Sequence, residues 1–312
     1  MKTCLVIGGA GFIGSHVTQL LCESGREVVV IGRRARTDRE LHPACRYLCG
    51  DYSDRAVLRD LLQTGCEVLD LAYSTVPKTS FEDPVFDLLS NLPASVGLFQ
   101  EALAAGVSRV LIVSSGGTVY GPTDRLPIRE DHPTVPVSPY GITKLATDRY
   151  AMMFHRNSQL PVIVVRPANA YGEDQKAGTG QGFIAAAVNA VLSGREIEVF
   201  GREGTVRDYI HVSDVAAGIV AALDQGDDGE IYNIGTGVGT SNAGIVRTLE
   251  GFAREQNISV QTKILPPRHF DVEANVLDST KLHLKSGWAP SISLEDGLRR
   301  VWATGMAGRK LG

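Results

Sequence analysis

The stretch Thr3-Cys4-Leu5-Val6-Ile7-Gly8-Gly9-Ala10-Gly11-Phe12-Ile13-Gly14 decides how the chain folds. Its apolar opening predicts a strand over Thr3–Gly8, buried on both faces. Glycines then recur as Gly8-x-x-Gly11-x-x-Gly14, and Ile13, Val17, Leu20 and Leu21 make a helical stripe that Gly25 stops. A tight turn alone would use the same glycines. Set between a strand and a helix, they let the backbone approach a pyrophosphate at the positive helix N-terminus. Gly8, Gly11, Phe12, Ile13 and Gly14 are therefore the candidate dinucleotide loop.

Further strands are expected at Glu27–Gly32, Arg46–Cys49, Glu67–Ala72, Arg109–Ser115 and Pro161–Arg166, with helices at Leu88–Ala105 and Lys144–His155. Repeated β-α-β units imply an α/β chain with a Rossmann-like, doubly wound parallel sheet. After about residue 170 this rhythm gives way to glycine-rich loops such as Gly172–Gly182 and Gly235–Gly239. Residues 1–170 are read as the nucleotide-binding domain and 171–312 mainly as a smaller α/β lobe, with some later segments returning to the first.

The 312 residues carry 31 Lys and Arg against 35 Asp and Glu, a net charge of −4, so no nucleic-acid or membrane partner is expected. No apolar run reaches membrane-spanning length and no signal peptide is visible, so a cytoplasmic location is expected. Cys4, Cys22, Cys45, Cys49 and Cys66 give an odd count, read as reduced thiols. Cys45 and Cys49 find no second ligand pair, so no metal is expected.

The second strand runs into Gly32-Arg33-Arg34, with no acid to accept bonds from a ribose 2′-hydroxyl. Arg33 and Arg34 suit a 2′-phosphate, or else are solvated or stack on adenine. Asp51, before Tyr52, either accepts from the adenine amino group or caps a helix over Asp54–Leu62. Tyr140-Gly141-Ile142-Thr143-Lys144 places a phenol and an ammonium one helical turn apart, where the cation would lower the phenol's pKa toward acid–base use. Gly116-Gly117-Thr118-Val119-Tyr120-Gly121 follows the fifth strand.

Together these motifs resemble the extended short-chain dehydrogenases/reductases, and among them the nucleotide-sugar epimerases typified by UDP-glucose 4-epimerase. Arg166-Pro167-Ala168-Asn169, Val206-Arg207-Asp208-Tyr209-Ile210-His211-Val212, Tyr232-Asn233-Ile234-Gly235 and Arg268-His269-Phe270-Asp271 match the family's later motifs in order. The resemblance implies bound NAD, with NADP left open by Arg33 and Arg34. It places Leu71, Ala72, Asn91, Pro167, Tyr140 and Lys144 around the cofactor. It assigns Asn169, Arg207, Arg268, Asp271 and Asn275 to a nucleotide-diphosphate sugar, with UDP as the expected nucleotide. Arg207 in an ion pair with Asp208 is the structural alternative. Asn275 is smaller than the tyrosine of restrictive members, so N-acetylhexosamines should be tolerated.

One position departs from the family: Gly116 stands where its catalytic serine or threonine does. On an extended backbone Thr118 shares that face and is the first substitute, with Ser115 second. The expected activity is 4-epimerisation of a UDP-hexose or UDP-N-acetylhexosamine through a 4-keto sugar. An NADPH-dependent 4-ketoreductase is the alternative, and a non-catalytic NAD(P)-binding sensor ranks below it. The resemblance also implies a homodimer, for which Leu88, Leu89, Leu92, Val96 and Phe99 supply a candidate apolar face; the alternative is that this stripe packs on the sheet.

Overall fold

The computed structural model describes residues 2–176, 182–268 and 272–309. The first half contains strands β1 (Thr3–Ile7), β2 (Glu27–Gly32), β3 (Arg46–Cys49), β4 (Glu67–Asp70), β5 (Arg109–Val113) and β6 (Val162–Pro167). Between them run helices α1 (Phe12–Glu23), α2 (Arg55–Leu61), α3 (Pro77–Glu82), α4 (Pro84–Ala105) and α5 (Pro139–Ser158). Helices α4 and α5 begin earlier than their apolar stripes suggest. Asp83 caps the one by accepting from the Phe86 N–H, and Ser138 caps the other by accepting from the Gly141 N–H. A proline then opens each helix, where its missing N–H costs nothing.

The second half contributes strands β7 (Asn169–Tyr171), β8 (Ile197–Phe200), β9 (Val206–His211), β10 (Glu230–Ile234), β11 (Gly239–Ser241), β12 (Thr262–Leu265) and β13 (Ala274–Asn275). Its helices are α6 (Phe183–Leu192), α7 (Val212–Gln225), α8 (Asn242–Glu255), α9 (Thr280–Ser286) and α10 (Leu294–Arg309).

Seven strands form one parallel sheet in the order β10-β6-β5-β4-β1-β2-β3. Side-chain alternation sends Cys4 and Val6 to a core under α1 and α7, and Leu5 and Ile7 to a core under α2, α4 and α5. Because both faces are covered, β1, β2 and β4 to β6 read as largely apolar runs, while the edge strand β3 has no buried residue. α7 and β10 return from the second half to this sheet. A third core gathers Tyr171, Tyr209, Ile245, Leu249 and Trp302 from β7, β9, α8 and α10. β9 lies at the centre of a small sheet, pairing with β7, β11 and β13. No helix among the described residues is long and apolar enough to cross a membrane.

Candidate active site

The order of the large sheet reverses between β1 and β4, and a crevice opens there at the strands' carboxyl ends. Gly8 turns the chain with φ +78°, and a Cβ on it would lie 2.8 Å from the Ala72 N. A Cβ on Gly14 would lie 2.2 Å from the Gly8 carbonyl oxygen, so α1 seats directly on the loop. The crevice continues into a cavity of about 950 Å³ lined by Gly8, Gly11, Arg33, Asp51, Tyr52 and Ala72, among others. Its bare glycine backbone and its volume suit a dinucleotide. Phe12, Ile13 and Gly14 form the first turn of α1 behind it. Leu71 and Arg34 also line the cavity.

Two residues assigned to this region serve as braces. Asp51 accepts from the Ser53 N–H at 2.9 Å in a local turn, while Asp54 caps α2 through the Ala56 N–H. Asn91, buried in α4, accepts from the Ser74 N–H at 2.8 Å and donates to the Asp87 carbonyl oxygen at 2.7 Å. It thereby fixes the loop after β4.

Tyr140 and Lys144 face inward from the first turns of α5 and are both buried. Lys144 Nζ donates to the Val113 carbonyl oxygen at 2.8 Å and lies 5.9 Å from the Tyr140 ring centroid. The expected lowering of the phenol's pKa by Lys144 is corrected here. Burial pushes the Tyr140 phenol well up, the Asp87 charge adds to this, and a hydrogen bond from the Ser115 hydroxyl opposes it. Burial also lowers the Lys144 ammonium to about 8, against the carboxylates of Asp70, Asp148 and Asp87.

The chain does not stay extended through the glycines. β5 ends at Val113 and residues 116–118 turn, so the geometry that favoured Thr118 is absent. Thr118 Oγ1 is buried without a partner, whereas the Ser115 hydroxyl meets Tyr140. Gly116 is held where a side chain cannot go. A Cβ there would lie 2.4 Å from Leu277 Cδ1 and 2.9 Å from the Arg166 carbonyl oxygen. The Gly116 N–H donates to the Pro167 carbonyl oxygen at 2.9 Å, and its own carbonyl accepts from Asn275 Nδ2 at 3.0 Å.

Among the residues expected to meet a sugar diphosphate, Asn275 is paired with Arg207 across β13 and β9. Asn275 Oδ1 is buried and unpartnered. Asn169 lies on β7, with Oδ1 3.2 Å from where a Gly117 Cβ would be. Arg207 makes no ion pair with Asp208. The buried Asp208 accepts instead from Thr236 Oγ1 at 2.6 Å and from the N–H groups of Thr236, Gly237 and Leu277. Arg268 lies over the Phe200 ring at 3.5 Å, and Asp271 lies outside the described residues.

Sequence reasoning missed Tyr73, Asp70 and Asp87. The Tyr73 ring meets Tyr140 edge-on at 4.8 Å and carries Lys144 Nζ 4.1 Å from its centroid. Asp70 ends β4 beneath Lys144, and burial raises its carboxyl to about 6. Asp87 is fully buried in α4, where it accepts from Thr75 Oγ1. Each sits in an otherwise ordinary strand end, loop or helix, and only the tertiary packing brings them to Lys144.

Residues 4–235 match the family described as NAD dependent epimerase/dehydratase. The UDP-glucose 4-epimerase of Mycolicibacterium smegmatis is 33% identical over 308 residues, covering 96% of this chain and 97% of that protein. The crystal structure of UDP-glucose 4-epimerase from Thermotoga maritima with UDP-glucose superposes with a TM-score of 0.90 at 32% identity, covering 100% of both chains. The Thermus thermophilus UDP-glucose 4-epimerase in complex with NAD gives 0.88 at 30% identity, covering 98% of this chain and 99% of that one.

Proposed function

The chain belongs to the NAD dependent epimerase/dehydratase family, and from that premise we propose that it inverts C4 of a nucleotide-diphosphate hexose, a UDP sugar, without net redox change. The observation that carries this reading is the buried pair Tyr140 and Lys144, one helical turn apart with Lys144 Nζ 5.9 Å from the Tyr140 ring centroid, beside a crevice suited to a dinucleotide.

The oxidised nicotinamide, when bound, supplies a hydride acceptor and a positive charge that favours the phenolate of Tyr140. Tyr140 would then take the proton of the sugar's C4 hydroxyl as C4 is oxidised to the ketone. Ser115 shares that proton and stands in for the side chain Gly116 lacks. Lys144 holds its charge against Asp70 and would hold the cofactor's ribose. Once the 4-keto sugar had turned over and been reduced on its other face, Tyr140 would give the proton back. On the sugar side Asn169, Arg207, Arg268 and Asp271 are read as ligands of the sugar diphosphate, with Arg207 and Arg268 suited to phosphate. Asn275 borders the hexose.

Incubation of the protein with UDP-glucose, read by anion-exchange chromatography, should yield the C4 epimer. Tyr140→Phe should lower that rate by at least about 100-fold while UDP-glucose still binds. A near-wild-type rate in Tyr140→Phe would refute the assignment.

The chain is further read as a homodimer. Leu88 and Leu89 of α4 are exposed, but Phe99 is buried in the core and Leu92 and Val96 are half-buried. The outward apolar face is therefore carried by Val85, Phe86 and Leu89, joined by Ile142, Tyr150 and Met153 of α5.

A further inference from the structure

Past the end of β2 the cavity's charges become one-sided. We propose that this end binds a phosphate on the ribose 2′-position, so that the chain takes NADP as well as NAD and holds the phosphorylated form more tightly. The inference rests on the dinucleotide reading of the Gly8–Gly14 loop and not on the sugar chemistry.

An acid at the end of β2 would accept from the ribose hydroxyls and repel a 2′-phosphate. Gly32 stands there, and a Cβ on it would lie 2.8 Å from the Tyr47 hydroxyl oxygen. An acidic side chain thus cannot be seated without moving Tyr47. That hydroxyl donates to the Arg34 carbonyl oxygen at 2.7 Å, and Cys49 Sγ reaches the Arg33 carbonyl oxygen at 3.6 Å. β3 therefore pins the backbone from which both arginines project.

Asp38 and Asp51 are the only carboxylates lining the cavity among the described residues. Asp38 is bound by Arg34 and Lys176, and Asp51 is turned onto the Ser53 N–H. Arg33 and Arg36 also line this end, exposed and without an ion pair among the described residues. Arg39 lies over the Phe12 ring at 5.7 Å, beside the glycine loop, and its Nε is buried without an acceptor. A buried donor lacking a partner is costly unless a ligand satisfies it. Guanidinium groups in this number suit a phosphate dianion.

The test is a binding measurement on the purified protein. Cofactor that co-purifies is first released and identified by mass spectrometry, and exchange with NADPH and NADH is followed by fluorescence. Adenosine 2′,5′-bisphosphate is then compared with 5′-AMP as competitor, in the wild type and in an Arg33→Ala/Arg36→Ala variant. Both arginines are exposed, so the fold should survive. The bisphosphate should bind at least about tenfold more tightly than 5′-AMP. The double variant should lose most of that preference while 5′-AMP changes less than about twofold. Equal binding of the two in the wild type, an unchanged preference in the variant, or NAD that NADPH cannot displace would overturn the inference. If neither competitor binds, the dinucleotide reading itself falls, and the inference with it.

Discussion

At the scale of single residues, the missing serine is the informative departure. Extrapolating an extended strand favours Thr118, because alternate residues share a face. The chain turns at residues 116–118 instead, held by the Pro167 carbonyl and the Asn275 amide on either side of Gly116. Both partners are remote in sequence, so no local pattern announces the turn. Ser115 is the hydroxyl that opposes the rise of the Tyr140 phenol's pKa. Ser115→Ala should therefore cost about 10²–10³ in kcat, the usual loss for one preorganised donor. Thr118→Val, which keeps shape, should retain most turnover. Steady-state assay of the two variants checks this, and the reverse pattern would return the role to Thr118.

At the scale of elements, the glycine loop and the Tyr140/Lys144 turn could be read from spacing because each depends on neighbours along one strand or helix. The environment of Lys144 could not. β4 brings Asp70, α4 brings Asp87, and the loop between them brings Tyr73 against the ammonium. These contacts carry a pH consequence. Burial leaves Lys144 titrating near pH 8, and the Asp70 carboxylate is the first of the charges that hold it that high. Removing a negative charge beside a cation disfavours the protonated form. Asp70→Asn should thus move the alkaline limb of kcat/KM to lower pH. A limb that stays in place or moves up would show that Asp70 does not act through Lys144.

At the scale of the whole molecule, the parallel sheet was readable because five of its strands, β1, β2, β4, β5 and β6, are buried and largely apolar. The return of α7 and β10 to that sheet was only partly so, since nothing in their own sequence says which core they join. The apolar stripe on α4 was likewise ambiguous, because Phe99 and Leu89 differ in burial only once α5 and the sheet are in place. If the outward α4–α5 face joins two copies, Phe86→Glu with Ile142→Glu should convert a dimer to a monomer in sedimentation velocity. An unchanged sedimentation coefficient would place the interface elsewhere. The central claim, hydride removed and returned within one bound sugar, is tested most directly with UDP-glucose deuterated at C4. The account predicts a C4 epimer that keeps its deuterium at C4, formed with no added reductant. Deuterium lost from the product, or turnover that consumes reduced cofactor in step with product, would contradict it.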